Sequence, residues 1–472
     1  MATPYDVVAY PTTAFRQTHP DRLAAHAALF GLPFAPPTEC RVLDIGCGDG
    51  GNLIPMAATY PESRFVGLDL SEAAIGRGQA AITALGLTNI RLEARDLTQA
   101  DYGDNAFDYI IAHGVYSWVP APVRDGLLRL VRRHLAPNGV AFVSHNALPG
   151  ARIRQAIRDM LMFHLRDVEG PQARVEAGAG HLQHYIDTFK DDVPFDAAVR
   201  LECRSMLERQ RGVIAHDELG DVYDPLTFTE FLAHATQHKL QFLTEAGARR
   251  CGEGFRPPYA VDDPDFDVLA HVQKLDFDVL RPYRENLLVC AETLLNRRPE
   301  PARLLGLYAS SSAVEVEPGV FDAGPIRFTV TEEVLIDAAK KLGAAWPAAV
   351  PIREVIDSEA AAGALLRMYW SGVINLHCAP FPYTTTVAER PRAFALARLQ
   401  ASRGDVHLTS PRHTTVEIND KVARDFIAGL DGARTVDEIA ADMVGQIGGT
   451  LESVRGLVSS KLEELARLPL LV

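Results

Sequence analysis

The sequence predicts an α/β protein built on a doubly wound, mostly parallel sheet, with a helical insertion and two small α+β modules behind it. Three observations point there. From Arg41 to His145 short β-branched runs alternate with longer helical periods, the pattern of parallel strands joined by crossover helices. Strand-like runs return at Leu240–Thr244 and Asn286–Ala291 after a long helical stretch, so the same sheet resumes. The 472 residues, 47% apolar, give about three domains' worth of ordinary globular chain at ~150 residues each.

In order, the strands are expected at Arg41–Ile45, Arg64–Asp69, Ile90–Glu93, Phe107–His113 and Val140–His145, separated by helices at Asn52–Thr59, Ser71–Leu85 and Ala121–Leu135. Ser71 ahead of apolar periodicity is an N-cap, and Asn138-Gly139 is a stop signal. Ala151–Arg166 and Gly170–Gly212 carry helical composition without strand signals, which makes residues 151–220 an insertion or lid. A helix spans about Leu226–Lys239 before the sixth strand. Between the last two strands lie the turn-rich Gly252–Pro258 and Asp262-Asp263-Pro264, so the first domain runs over residues 1–297. Arg297–Pro301 reads as a linker. Residues 325–380 follow, with Phe328–Val330, helices at Glu332–Trp346, Ile352–Asp357 and Glu359–Trp370, and the strand Val373–His377, a winged-helix-like order. Pro380–Pro391 is a loop. Residues 400–472 repeat the theme, with Val416–Ile418, a helix at Lys421–Gly429, the turn Asp431-Gly432, Thr435 capping Val436–Met443, and Leu451–Leu468.

Charge narrows the function. With 47 basic against 61 acidic residues the net charge is −14, spread along the chain, which disfavours a nucleic-acid-coating role. The start lacks a basic and then apolar leader, and no apolar run approaches the ~18 residues of a membrane span, so a soluble cytoplasmic protein without stable membrane association is expected. The six cysteines form no CxxC pair, and reduced thiols are the default.

The chemistry concentrates in Val42-Leu43-Asp44-Ile45-Gly46-Cys47-Gly48-Asp49-Gly50-Gly51, an acidic strand end followed by alternating glycines that let a ligand approach the backbone. Asp69 ends the next strand, where a carboxylate can accept ribose hydroxyls, and Asp96 follows the third, where it can accept an adenine amino group. Dinucleotide enzymes hold a pyrophosphate at this turn and would not welcome Asp44 and Asp49 beside it. S-adenosylmethionine, with an ammonium, a sulfonium and no phosphate, suits those charges. The candidate cofactor set is Asp44, Gly46, Gly48, Asp49, Asn52, Asp69, Leu70, Asp96, Leu97 and His113.

The run Leu43–Gly50 resembles the first motif of class I S-adenosylmethionine-dependent methyltransferases, and Gly67-Leu68-Asp69-Leu70-Ser71 their second. A Rossmann-like seven-stranded fold is what this implies. The fourth strand ends in His113-Gly114-Val115-Tyr116-Ser117-Trp118-Val119-Pro120, without the DPPY or NPPY tetrapeptide of nucleic-acid amino-methyltransferases; Arg256-Pro257-Pro258-Tyr259 lies too far downstream to serve. Together with Tyr10-Pro11, Phe15–Pro20, Asn146–Gly150, His216–Leu219, Asp224-Pro225 and Glu230-Phe231, this segment resembles bacterial methyltransferases carrying a methyltransferase regulatory domain, a family that includes lysine methyltransferases of outer-membrane proteins. The resemblance implies a discontinuous catalytic domain, an inserted helical region able to form a homodimer, and winged-helix modules that contact a protein or peptide substrate. His145, Ala151 and Thr227-Phe228-Thr229 depart from the family pattern near the substrate face.

Tyr116, His113 and Trp118 are the catalytic candidates, and Tyr10, Tyr116, Trp118, His145 and Asn146 the substrate wall, since aromatics desolvate a lysine amine and lower its pKa. No metal is expected: His234 and His238 are one helical turn apart but lack a third ligand in the sequence, and read as a surface helix, as do His181 and His184. Glu417–Val472 holds six basic and ten acidic residues, which argues against a DNA reader. Its Leu430–Ile439 run resembles peptide-binding winged-helix domains that hold leader sequences. The primary expectation is protein lysine N-methylation; the alternatives are methylation of a ribosomally made peptide on a carboxylate or amine, and a non-enzymatic S-adenosylmethionine sensor.

Overall fold

The structure, a computed structural model, describes residues 4–247, 267–297 and 299–472. The turn-rich Gly252–Pro258, the Arg256–Tyr259 tetrapeptide and Asp262–Pro264 lie outside the described residues.

Seven strands form one sheet in the order β3-β2-β1-β4-β5-β7-β6. They are β1 Arg41–Ile45, β2 Arg64–Asp69, β3 Ile90–Ala94, β4 Phe107–Ala112, β5 Leu135–Asn146, β6 Leu240–Glu245 and β7 Tyr283–Cys290. β1 to β5 pair in parallel, and β7 runs antiparallel between β5 and β6. Near-continuous Val, Ile and Leu runs explain the buried central strands, because helices cover both faces. The chain reverses its winding between β1 and β4, which opens a crevice beyond their carboxyl ends.

The caps follow the sequence closely. Ser71 Oγ accepts from Ala74 N at 3.1 Å to start the helix Glu72–Leu85, and Gly86, at φ 64°, ends it. Thr227 and Glu230 form a reciprocal capping box on the helix Phe228–Gln237. Other boundaries moved. β5 begins at Leu135, five residues before the expected Val140, because the chain enters the ladder through Asn138-Gly139 instead of stopping there. The helices Pro20–Leu29 and Val268–Asp278 were not anticipated.

The insertion comprises the helices Arg152–His164, Pro171–Thr188 and Pro194–Leu207, with a π-helical turn at Ile214–Glu218. It has its own core of Leu161, Leu182 and Met206. After the sheet, a three-stranded unit orders Val350–Pro351, Tyr308–Ser310 and Asn375–His377 beside an antiparallel meander over Val314–Thr329. Its central strand precedes residue 325, earlier than the composition suggested. The last module is a hairpin of His407–Thr409 and Thr415–Glu417 with four helices, among them an unanticipated Ala395–Arg403.

One apolar core runs from the sheet face at Leu23 and Val42 through Leu365 and Leu376 into Leu408 and Ile427, so both small modules dock on the catalytic sheet. No helix of the described residues is long and apolar enough to cross a membrane.

Candidate active site

At the crevice the β1–helix turn is held by backbone bonds. Gly46 N and Cys47 N both donate to Leu68 O, at 2.8 and 3.1 Å. Gly46 and Gly48 sit at φ 73° and 56°, and a Cβ at Gly48 would stand 2.6 Å from Thr12 Cγ2. A side chain is excluded there twice, by conformation and by contact.

Asp69 accepts from Gly48 N and Ser71 N, both at 2.9 Å, so one carboxylate ties the two motifs together and keeps further lone pairs for a ligand. Burial pushes its pKa up, and the donated amide protons offset part of that. Asp44 is fully buried, and burial, reinforced by Asp69, pushes it up to about 7 against the amide of Asn52, whose Nδ2 lies 3.4 Å away. A buried carboxylate short of cationic partners is a place for a cationic group. Asp96 Oδ1 caps Thr98 N at 2.8 Å beside Leu97.

These residues line a cavity of about 1250 Å³ that continues past the cradle. Asp44, Gly46, Gly48, Asn52, Asp69, Leu70, Asp96, Leu97 and His113 all line it. Asp49 does not; its carboxylate accepts from Thr12 Oγ1 and lies 3.8 Å from Arg77, so it anchors the segment that closes over the turn. Asn52 is a junction: its Oδ1 accepts from Phe15 N at 3.0 Å and meets His413 Nε2 at 2.9 Å, and its Nδ2 reaches Thr18 Oγ1 at 3.1 Å.

Beyond the cradle the wall is aromatic. Tyr10, Trp118, Tyr223 and Tyr283 line it with Asn146, whose buried Nδ2 has no hydrogen-bond partner among the described residues. Trp118 and Tyr223 have ring centroids 5.0 Å apart, and Arg158 lies 4.8 Å over Tyr223. His113 sits between Phe15, at 3.9 Å, and Phe142, at 5.8 Å, and burial pushes its pKa down to about 4. It is a neutral wall at physiological pH.

Two expected wall residues are elsewhere. Tyr116 is buried on the opposite side of the loop, its Oη 2.6 Å from His234 Nδ1 and its ring edge-on to Phe231, because residues 116–118 form a tight turn that points successive side chains apart. His145 faces the core, stacked on Phe231 with Nδ1 2.9 Å from Asn286 Nδ2, since strand alternation sends it away from the cavity that Asn146 enters.

Sequence reasoning missed Tyr223, Tyr283 and the charged floor. Asp217 lines the cavity, and burial pushes it up to about 6 although Arg154 and Arg209 stand 3.7 and 3.8 Å away. Glu218, fully buried, takes Arg154 through two hydrogen bonds of 3.1 and 2.5 Å. The His216–Leu219 run was visible as a motif, but its place depends on the insertion folding back over residues 5–10, where Tyr5 stacks on His216 at 4.0 Å.

The donor set fits S-adenosylmethionine: buried acceptors in the cradle, glycines where a Cβ would intrude, and, among the described residues, no cationic side chain paired with Asp44 or Asp69. Residues 42–139 match the family described as a methyltransferase domain, residues 210–289 a predicted methyltransferase regulatory domain, and residues 389–456 the C-terminal winged helix domain of PKMT. The uncharacterized protein RP028 of Rickettsia prowazekii is 35% identical over 240 residues, 51% of this chain and 96% of that protein. RP789 of the same organism is 33% identical over 297 residues, 62% of this chain; the match spans only 54% of RP789, about half its length. The structure of PKMT2 from Rickettsia typhi superposes with a TM-score of 0.83 at 25% identity, covering 98% of this chain and 100% of that one. By the cradle at the switch point and by these matches, the chain belongs to the class I S-adenosylmethionine-dependent methyltransferases, in the group with a regulatory domain and a PKMT-type winged helix.

Proposed function

We propose that the protein methylates lysine side chains of a protein substrate. The observation that carries this reading is the continuity of the cavity from the Asp44–Asp69–Asp96 cradle to the aromatic slot of Tyr10, Trp118, Tyr223 and Tyr283. Aromatic faces suit an alkyl arm ending in a cation. The likeness to PKMT2 and the PKMT-type winged helix support a protein acceptor.

S-adenosylmethionine, held by Asp44, Asn52, Asp69 and Asp96, supplies an already activated methyl group, so alignment does most of the work. Trp118 and His113 position the acceptor. The aromatic slot excludes water and lowers the lysine pKa from its ordinary ~10.4. Among the carboxylates that line the cavity, Asp217, ionised above about 6, is the one whose neighbours include Tyr10, and it takes up the ammonium proton at its carboxylate oxygen.

A homodimer is part of the same reading: the insertion exposes Phe163, Phe195 and Leu201, apolar surface that a second copy would cover. The five described cysteines are all free, in keeping with a reducing cytoplasm. The net charge of −14 speaks against a nucleic-acid partner. Mass spectrometry of candidate outer-membrane proteins and short peptides after incubation with the cofactor is the test. Methyl groups on lysine support the proposal; transfer only to carboxylates or a peptide terminus overturns it.

A further inference from the structure

The helix Ala121–His134 passes alongside the helix Phe228–Gln237 and brings Asp125 to the two histidines at the latter's end. Asp125 Oδ1 lies 2.8 Å from His238 Nε2 and 3.8 Å from His234 Nε2, and the three atoms fall within 4.8 Å of one another. We propose that Asp125, His234 and His238 form a binding site for a borderline divalent cation such as Zn²⁺.

The geometry is close to what coordination needs. Bonds of about 2.1 Å in a tetrahedron separate ligand atoms by about 3.4 Å, and the two carboxylate–imidazole distances straddle that value. His234, in the last turn of its helix, and His238, the residue that caps that helix, stand one turn apart on the same side, and the carboxylate arrives from a neighbouring helix. The three side chains are only partly buried, which leaves water as the fourth ligand.

A built second sphere separates this cluster from a chance surface grouping. His234 Nδ1 is 2.6 Å from Tyr116 Oη, a phenol buried in the core with Arg124 5.7 Å over its ring. With Nδ1–H donating to that phenol oxygen, Nε2 keeps its lone pair toward Asp125, the tautomer a metal requires. Arg129 pairs with Asp125 Oδ2 and leaves Oδ1 to the histidines. The guanidinium sits close to an incoming cation and weakens it, so the site is one of modest affinity.

None of the three ligands lines the methyl-transfer cavity. The cation's role is to clip the two helices and, through Tyr116, to steady the turn at residues 116–118 that presents Trp118 to the slot.

The test uses the full chain, stripped with a chelator and titrated with Zn²⁺ by calorimetry, with circular dichroism as the folding control. The wild type is expected to take up a single equivalent, and His234→Ala/His238→Ala to weaken that uptake at least about tenfold; Tyr116→Phe, acting on the second sphere, weakens it about tenfold. Asp125→Asn, which preserves shape, gives the same loss should the double variant fail to fold. Arg129→Ala tightens binding. Uptake that is absent in the wild type, or equal in the wild type and the ligand variants, overturns the proposal.

Discussion

Asp44 illustrates how a single residue couples cofactor binding to pH. Its pKa of about 7 in the folded protein is above the ordinary carboxylate value near 3.9, because burial disfavours the charge. Its contribution to folding stability is therefore full below the unfolded value and is lost as pH rises from about 4 through about 7. A cationic ligand favours the ionised form, so binding releases a proton near neutrality. Calorimetry at pH 6.5 in buffers of different ionisation enthalpy should show proton release, and Asp44→Asn should abolish it. Asp69→Ala removes the acceptor shared by Gly48 N and Ser71 N, and cofactor binding should fall by more than about tenfold in equilibrium dialysis, whereas Tyr116→Phe should leave it intact. At this scale the sequence was most informative where chemistry is local. Asp44, Asp69 and Asp96 each end or follow a strand, and a strand end fixes the side of the sheet a residue serves. Tyr116 and Trp118 are two residues apart in one turn, and no periodicity says which of them faces the cavity.

Elements show the same divide. Five strands of the parallel half were legible in their apolar runs, and the Ser71 cap in its hydroxyl, because both are written in neighbouring residues. The cavity's far wall was not. Asp217 comes from the insertion, Tyr223 from the segment that leaves it and Tyr283 from β7, brought together only when the π-helical turn packs against residues 5–10. Likewise Asp125 and His238 are separated by 113 positions, so the third member of that cluster could not be read beside the other two. The turn itself yields a prediction. Gly48→Ala meets a positive φ and Thr12 together, and should cost about 1–2 kcal/mol of stability while weakening cofactor affinity. Thermal melts with and without S-adenosylmethionine measure both, and an unchanged ligand-induced shift would contradict the placement of this glycine under the ligand.

For the whole molecule, the decisive contacts lie between modules. Asp21, on the sheet-covering helix Pro20–Leu29, meets His377 Nδ1 at 2.8 Å and Cys378 N at 2.7 Å, with Asp21 and His377 buried in the interface with the middle module and Cys378 at its partly buried edge. Burial alone would raise the Asp21 pKa, but His377 and the Cys378 amide outweigh it and keep the carboxylate ionised. Burial pushes the His377 pKa down, so the ring is neutral and removal of Asp21 leaves its Nδ1–H and the Cys378 amide without their acceptor, which typically costs about 1–3 kcal/mol. Asp21→Ala should lower the melting temperature accordingly and, if the modules separate, split a single calorimetric transition in two. The composition foresaw modules after residue 297 but not how firmly they dock, since a continuous core is a property of surfaces that meet only in three dimensions.

The hairpin tip at His413 reaches the cofactor loop through Asn52. Binding linkage runs in both directions: whatever free energy the docked tip lends to the loop, an occupied loop must return to the tip. The distant hairpin thus becomes a gauge of occupancy at the catalytic end. Its amides over residues 407–417 should exchange more slowly with deuterium when S-adenosylmethionine is present, and His413→Ala should erase that difference. A partner that pulls on the last module would, by the same thermodynamics, loosen the enzyme's hold on its methyl donor.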